Sequence, residues 1–250
     1  MTDSLKTLLI HVRPDEKMRD HEYGLIKKYS NLRDDQFHRV DVFQDELHPE
    51  MVDGADLLML GGSGDYDLSE GHIPHEIAKI ERTIHAAKEQ DTAILGICFG
   101  AQVLAHTLGG RIEKDEDNKE MGTFEVTKLP EADACPVFSA MPERFDAQLG
   151  HKDHIVELPP GAINLASTKR SVHQAFTFPD KPIYGLTFHP ELDKEALYYR
   201  ADYYATEYDI DAAEMADLKR RTKDTPDAVK VLDLFLHEIV AKGNRYIHSA

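Results

Sequence analysis

Short continuous apolar runs alternate with amphipathic stretches through the first half of this chain. Residues 6–12 (KTLLIHV), 55–60 (ADLLML) and 92–97 (TAILGI) carry no helical period and predict buried strands, and residues 37–43 alternate loosely and predict another. The charged segment RPDEKMRDHEYGLIKKYS runs from a loop into a helix. Residues 74–89 set Ile77, Ile80, Ile84 and Ala87 at helical spacing and predict a crossover helix. Strands and helices in this order predict a parallel sheet wound with right-handed crossovers, where sites collect at the carboxyl ends of strands.

From Arg111 the texture changes. Segments 124–129, 145–149, 155–158, 163–167 and 172–178 are short and punctuated by PP, PG and PD, which predicts antiparallel strands and hairpins added to the parallel sheet. Residues 183–191 (IYGLTFHPE) then form one more apolar strand that stops at His189-Pro190-Glu191. After Leu192 the pattern is helical: Leu197, Ala201 and Tyr204 share one face, and Val229, Leu232, Leu236, Ile239 and Val240 share another beyond a break at Thr225-Pro226. Tyr198, Tyr199, Tyr203, Tyr204 and Tyr208 crowd the first part of this tail, where packing on the sheet with hydroxyls reaching water is expected. KRRTKD is expected to be a solvated helix end.

The chemistry gathers at residues 94–110 (ILGICFGAQVLAHTLGG), a strand that turns sharply into a helix with Cys98 on the corner. Gly96 and Gly100 flank the cysteine because such a turn strains the backbone and brings helix and strand close together. A thiol at a helix N-terminus is favoured as thiolate, and the unpaired N–H groups there can hold an oxyanion. A nucleophilic cysteine needs a base, and the base needs a partner that fixes its tautomer. Of the 14 histidines, His21, His72, His75, His85 and His248 sit in polar stretches and are expected to be solvated. His189 ends a buried-looking strand with Glu191 two residues on, so Cys98, His189 and Glu191 are the expected triad. The run GGSGD after the third strand is a tight loop on one reading. On the other, Gly61 and Gly62 let a backbone N–H approach a ligand. Its glycine spacing is not that of a dinucleotide fingerprint.

Composition narrows the setting. A chain of 250 residues, 41% hydrophobic, can bury the core of one α/β domain. Its net charge of −17, with no basic cluster longer than Lys219 to Arg221, gives no reason to expect nucleic acid. Two cysteines, Cys98 and Cys135, fit a reduced protein, and no run approaches a membrane span, so a cytoplasmic location without a membrane partner is expected. His151 and His154 in HKDH are potential metal ligands, but without a recognisable further ligand no metal and no cofactor are expected.

GICFGAQ and GLTFHPE, preceded by the strand-GGSGD loop, resemble in order the three signature segments of class I (triad-type) glutamine amidotransferases. Within that class, MGTFEV (residues 121–126) and HKDHIVELPPG (residues 151–161) are similar to the glutaminase domain of GMP synthetases. The resemblance covers roughly residues 6–191. It implies a flavodoxin-like α/β core, and with the added antiparallel strands and helical tail read above the expected fold is a mostly parallel sheet flanked by helices, with added antiparallel strands and a C-terminal helical extension. The division expected is residues 1–192 for the amidotransferase domain and 193–250 for the extension packed on it.

The resemblance further implies Cys98 as nucleophile, His189 as base and then acid, and Glu191 as orienting group. Gly62 and Phe99 would donate oxyanion N–H groups. Gln102 would help hold the substrate, and the loop of Lys152 and Asp153 would present backbone to its amino-acid end beside Gly61. Two departures stand out: Ser63 where relatives commonly have proline, and His151-Lys152-Asp153 where they have HGD. Lys152 could select what lies beyond glutamine. No phosphate-binding loop and no second domain are recognisable, so a self-sufficient hydrolase of glutamine or a γ-glutamyl compound is expected ahead of a subunit feeding ammonia to a separate synthetase. A non-enzymatic scaffold is the least expected of the three.

Overall fold

The expected strands do form, and their burial explains their order. The structure is a computed structural model that describes residues 4–206 and 210–244. Tyr208 and His248 lie outside the described residues. The strands are β1 (Thr7–His11), β2 (Phe37–Asp41), β3 (Leu57–Leu60), β4 (Ala93–Ile97), β5 (Arg111–Lys114), β6 (Glu120–Lys128), β7 (Arg144–His151), β8 (Asp153–Glu157), β9 (Ile163–Ser167), β10 (Ala175–Phe178) and β11 (Lys181–Leu186). The helices are α1 (Glu16–Ser30), α2 (Pro74–Glu89), α3 (Phe99–Thr107), α4 (Lys194–Tyr203), α5 (Ala212–Arg221) and α6 (Lys230–Phe235), the last running on as a π-helical turn, Leu236–Ala241.

A 9-stranded sheet runs β2-β1-β3-β4-β11-β10-β9-β6-β7. From β2 to β11 neighbours are parallel, and from β11 to β7 they are antiparallel. The molecule is therefore an α/β fold with a parallel core and an antiparallel extension. Strands β1, β3 and β4 are buried along their whole length, so side chains of both parities are apolar. Leu9, Met59 and Leu95 face one layer with Ile26 of α1 and Val231 and Phe235 of α6. Leu8, Ile10, Leu58 and Ile94 face the other, with Ile80 and Ile84 of α2 and Val103 and Leu104 of α3.

Three boundaries differ from expectation. Segment 155–158 does not join the large sheet; it belongs to β8, which pairs with β5 in a separate two-stranded sheet. The partner β5 was not expected, because its four residues RIEK are half-exposed or exposed and carry little apolar signal. Strand β10 begins only at Ala175, and His189-Pro190-Glu191 lie beyond the end of β11 rather than within it.

The C-terminal helices lie against this frame. Phe235 meets Tyr184 of β11 edge-on, with ring centroids 5.3 Å apart. Near the end of α5, Arg221 donates to the Met121 carbonyl at 2.9 Å, and Gln148 of β7 donates to the Lys223 carbonyl at 2.8 Å.

Two glycines permit the corner between β4 and α3. A Cβ on Gly100 would lie 2.3 Å from the Leu60 carbonyl oxygen, and one on Gly96 would lie 2.6 Å from the Gly100 carbonyl oxygen. Helix α3 thus touches β3 backbone to backbone. Gly100→Ala is expected to lower unfolding free energy by about 1–3 kcal/mol through overpacking. Gly24→Ala, on α1 with nothing within 4 Å of its added methyl, should raise it by about 0.5–1 kcal/mol. Urea unfolding of the two variants checks both signs.

Candidate active site

Cys98 occupies the corner with φ 50° and ψ −109°, in the positive-φ part of backbone space that L-residues avoid. Such a residue costs on the order of 1–3 kcal/mol and persists only where its surroundings over-determine it. Here its N–H donates to the Leu186 carbonyl of β11 at 2.7 Å, while its own carbonyl accepts from Ala101 and Gln102. The thiol is buried at the N-terminus of α3.

His189 and Glu191 follow the end of β11, the strand beside β4. The His189 N–H donates to the Gln148 carbonyl at 2.9 Å, and its Nδ1 donates to Glu191 Oε1 at 2.9 Å. Arg200 of α4 donates to the same Oε1 at 3.0 Å. Its 3.3 Å approach to His189 Nδ1 then joins two donors and is no hydrogen bond. The structure thus brings Cys98, His189 and Glu191 together and adds Arg200.

Burial raises the Cys98 thiol, but the charge and hydrogen bond of His189 outweigh it, and the net shift is downward. Burial lowers His189, whereas Glu191 and Cys98 raise it, with a net rise to about 9. Burial likewise raises Glu191, and His189 and Arg200 pull it down to about 2. These directions favour a thiolate beside an imidazolium, with Glu191 kept ionised.

The glycine loop is held differently from expectation. The Gly62 N–H, expected to face an oxyanion, donates instead to Glu22 Oε1 of α1 at 3.0 Å. That buried carboxylate also binds Arg13 Nε at 3.0 Å and His11 Nδ1 at 2.8 Å. Burial opposes its ionisation, yet Arg13 and His11 hold it well below the usual carboxylate range. Gly61 serves the same carboxylate, since a Cβ there would lie 2.6 Å from Glu22 Oε2. Phe99 is the first residue of α3, where helix geometry leaves the N–H without an intrahelical acceptor.

Tyr204 does not reach water as expected of the tail tyrosines. Its buried hydroxyl accepts from Arg13 at 3.0 Å and donates to Asp65 at 3.2 Å. His21, expected to be solvated, is half-buried against Tyr199, and burial with the nearby Arg200 and Arg13 charges lowers it to about 4. Arg13, Glu22, Arg200 and Tyr204 were all missed as site residues. The available signals were an arginine directly after an apolar strand and the tyrosine crowding itself.

Gln102 is buried and donates to the Asp153 carbonyl at 2.9 Å. The Asp153 carboxylate accepts from the Ser69 N–H at 2.8 Å and its hydroxyl at 2.5 Å, so that side chain is committed to the loop after Gly64. Lys152 lies 3.9 Å from Glu116. Cys98, Gln102, Tyr66, His151, Lys152 and Asp153 line a cavity of about 10 Å³. A second cavity of about 50 Å³ touches His189 and is lined by Arg13, Arg200, Tyr204, Leu149, Leu192 and Leu197. Ser63 and Gly150 belong to the walls of both. At the corner between β7 and β8, Glu120, His151 and His154 hold three potential ligand atoms within 4.8 Å of one another.

Residues 25–197 match the family described as glutamine amidotransferase class-I. The chain belongs to that family. The glutamine-hydrolysing GMP synthase of Streptococcus pneumoniae is 36% identical over 186 residues, 71% of this chain and 33% of the synthase. The chain therefore spans about a third of the length of that relative. A glutamine amidotransferase from Thermotoga maritima superimposes with a TM-score of 0.70 at 22% identity, covering 94% of this chain and 98% of the other. A GMP synthase subunit from Thermoplasma acidophilum gives 0.62 at 22% identity, covering 82% and 98%. Both likenesses concern the fold. No helix among the described residues of this amidotransferase-family chain is long and apolar enough to cross a membrane.

A lowered thiol is ionised at lower pH than a free one. Iodoacetamide alkylation of Cys98 should therefore stay fast as pH falls below the ordinary value of 9.0 and decline only at more acid pH. His189→Ala should move that inflection back up. Cys135, buried and pushed up, should be alkylated only on unfolding. Peptide mapping of the alkylated chain across a pH series separates the two.

Proposed function

We propose that this chain hydrolyses the γ-amide of glutamine or of a γ-glutamyl compound by itself, through a Cys98, His189 and Glu191 triad. The Cys98 thiolate adds to the γ-carbonyl carbon, and the Phe99 N–H at the α3 N-terminus stabilises the oxyanion. Gly62 joins as second donor only on leaving Glu22. The His189 imidazolium gives its proton to the departing nitrogen as the C–N bond breaks, which leaves a γ-glutamyl thioester. His189, now neutral, takes a proton from water, whose oxygen attacks the thioester and returns the thiolate. Glu191, fixed by Arg200, keeps the imidazole in the tautomer with Nδ1 protonated. The small cavity with Gln102 and Asp153 takes the amino-acid end of the substrate, with Lys152 at its rim. No cofactor enters this scheme.

One observation carries the self-sufficient reading: the second cavity, which His189 lines, is walled in part by the chain's own α4. Its aliphatic lining, around about 50 Å³ of open space, suits a small substituent on the departing nitrogen. The Nη2 of Arg200, buried without a hydrogen-bond partner, supplies a donor for an acceptor oxygen on it. The likeness to GMP synthase favours a second reading, a subunit that delivers ammonia to a separate synthetase.

The test is amine and ammonia release by the purified chain from glutamine and from γ-glutamyl amides of increasing size, with Cys98→Ala as blank. At least tenfold higher kcat/KM for the larger amides is expected, about 1.4 kcal/mol in the transition state. Glu191→Gln should lower kcat by about 10²–10⁴-fold, and less than His189→Ala does. No Cys98-dependent release from any substrate would overturn the triad reading. Release from glutamine alone, and only with a synthetase added, would establish the second reading.

A further inference from the structure

Three buried side chains outside the reaction scheme converge at the β7–β8 corner. Glu120 opens β6 and is 0% exposed, His151 ends β7 at 5%, and His154 lies in β8 at 5%. A carboxylate this deep needs a compensating charge or strong donors. Thr168 gives Glu120 Oε1 a hydrogen bond of 2.6 Å, and Gln174 binds Oε2. Those two donors orient the carboxylate and leave it charged.

The two imidazoles remain incompletely satisfied. His151 Nδ1 faces the Asp153 carbonyl at 3.0 Å, an acceptor only, so Nδ1 carries the proton and a neutral ring leaves Nε2 with a lone pair. That Nε2 approaches Glu120 Oε2 to 3.3 Å without hydrogen-bond geometry. Two lone pairs then face each other unless a cation lies between them. His154 Nε2 is also buried and has no hydrogen-bond partner, and the two rings stand 4.9 Å apart at 71°. A buried Glu120–His151 ion pair would satisfy two of the three groups and leave His154 unexplained.

We propose that Glu120, His151 and His154 form a binding site for one divalent transition-metal ion, zinc being the best fit. Two imidazole nitrogens and one carboxylate oxygen are a common donor set for tetrahedral zinc, with a fourth position left for water. In a tetrahedron with bonds of roughly 2.0–2.1 Å the ligand atoms stand roughly 3.4 Å apart. The present set, all within 4.8 Å, needs only side-chain adjustment to reach it. The Asp153 carbonyl on His151, and Thr168 and Gln174 on Glu120, supply the outer hydrogen bonds that orient metal ligands.

The ion's work at this position is structural. Strands β6 and β7 belong to the large sheet and β8 to the small one, so a single ion ties the two sheets together. The corner it fixes carries Gly150, whose carbonyl lies 3.9 Å from Cys98 Sγ, and Asp153, whose carbonyl holds Gln102. The site borders the reaction proposed above, because His151 also lines the cavity of Cys98 and Gln102, but its test reads metal binding and not turnover.

The full chain, stripped with EDTA and dialysed, is titrated with Zn²⁺ by calorimetry and followed by thermal unfolding with and without the ion. One zinc per chain with Kd at or below about 1 μM, and a rise in Tm that EDTA reverses, is the expected result. His154→Gln, which leaves the Glu120–His151 contact intact, should weaken binding by about 100-fold or more and remove the Tm rise. Unchanged affinity in His154→Gln would assign the zinc to surface histidines and overturn the proposal, as would binding weaker than about 100 μM in the wild type. Co²⁺ provides a readout that does not depend on the variant folding: the wild type should show the visible absorption of a four-coordinate ion, and its absence would also overturn the site.

Discussion

The left-handed backbone at Cys98 is the constraint on which the rest of the site depends. It is held by three elements at once: β3 through the Leu60 carbonyl that excludes a side chain at Gly100, β11 through the Leu186 carbonyl, and α3 through the bonds that begin its first turn. The same β4–β11 pairing explains why His189 meets Cys98. Leu186 is in register with Ile97 in parallel strands, so the residues that follow each strand emerge at one edge of the sheet. Cys98 comes directly after Ile97, and His189 comes three residues after Leu186. Register therefore does what neither residue type could do alone.

Around that edge the buried charges are matched in pairs. Arg13 with Glu22 and Arg200 with Glu191 each combine opposite signs out of water, and Cys98 lies beside His189, whose charge favours its thiolate. A buried ion left alone would cost several kcal/mol, whereas a paired and hydrogen-bonded one need not. The pairing also ties distant segments to the corner, since α1 supplies Glu22 and α4 supplies Arg200. Glu22 has a further consequence: by taking the Gly62 N–H it keeps that peptide turned from the thiol. In the proposed reaction, Gly62 could serve as a second oxyanion donor only if the loop shifted.

The parallel core, the corner and the three residues at Cys98, His189 and Glu191 could be read from the sequence because each leaves a local mark. Apolar runs mark β1, β3 and β4, glycines flank the thiol, and a histidine and glutamate follow a strand end. What escaped depends on contacts between segments remote in sequence. Arg13 and Glu22 are ordinary charges in a polar stretch until α1 folds over β1. Tyr204 is one of a crowd until Arg13 and Asp65 meet its hydroxyl. Strand β5 carries too few apolar residues to announce itself. His151 and His154 were visible as a pair, but Glu120 comes from another strand and no spacing rule would have joined it to them.

The two cavities divide the site by origin. The side that faces Gln102 is built from the corner between β7 and β8, whose carbonyls grip α3 and approach the thiol. The side beyond His189 is built from α4 and the residues leading into it, with Leu192, Leu197 and Arg200 on its wall. A change in Leu197 would reshape that second wall and its packing on Leu192, Ala196 and Leu25. A change in Arg200 would alter the wall and also loosen Glu191, because one guanidinium serves both. The α4 segment is thus tied to Glu191 through Arg200 and open to variation around it, which is the arrangement the proposed reaction would use if the departing group, rather than the γ-glutamyl group, distinguished one substrate from another.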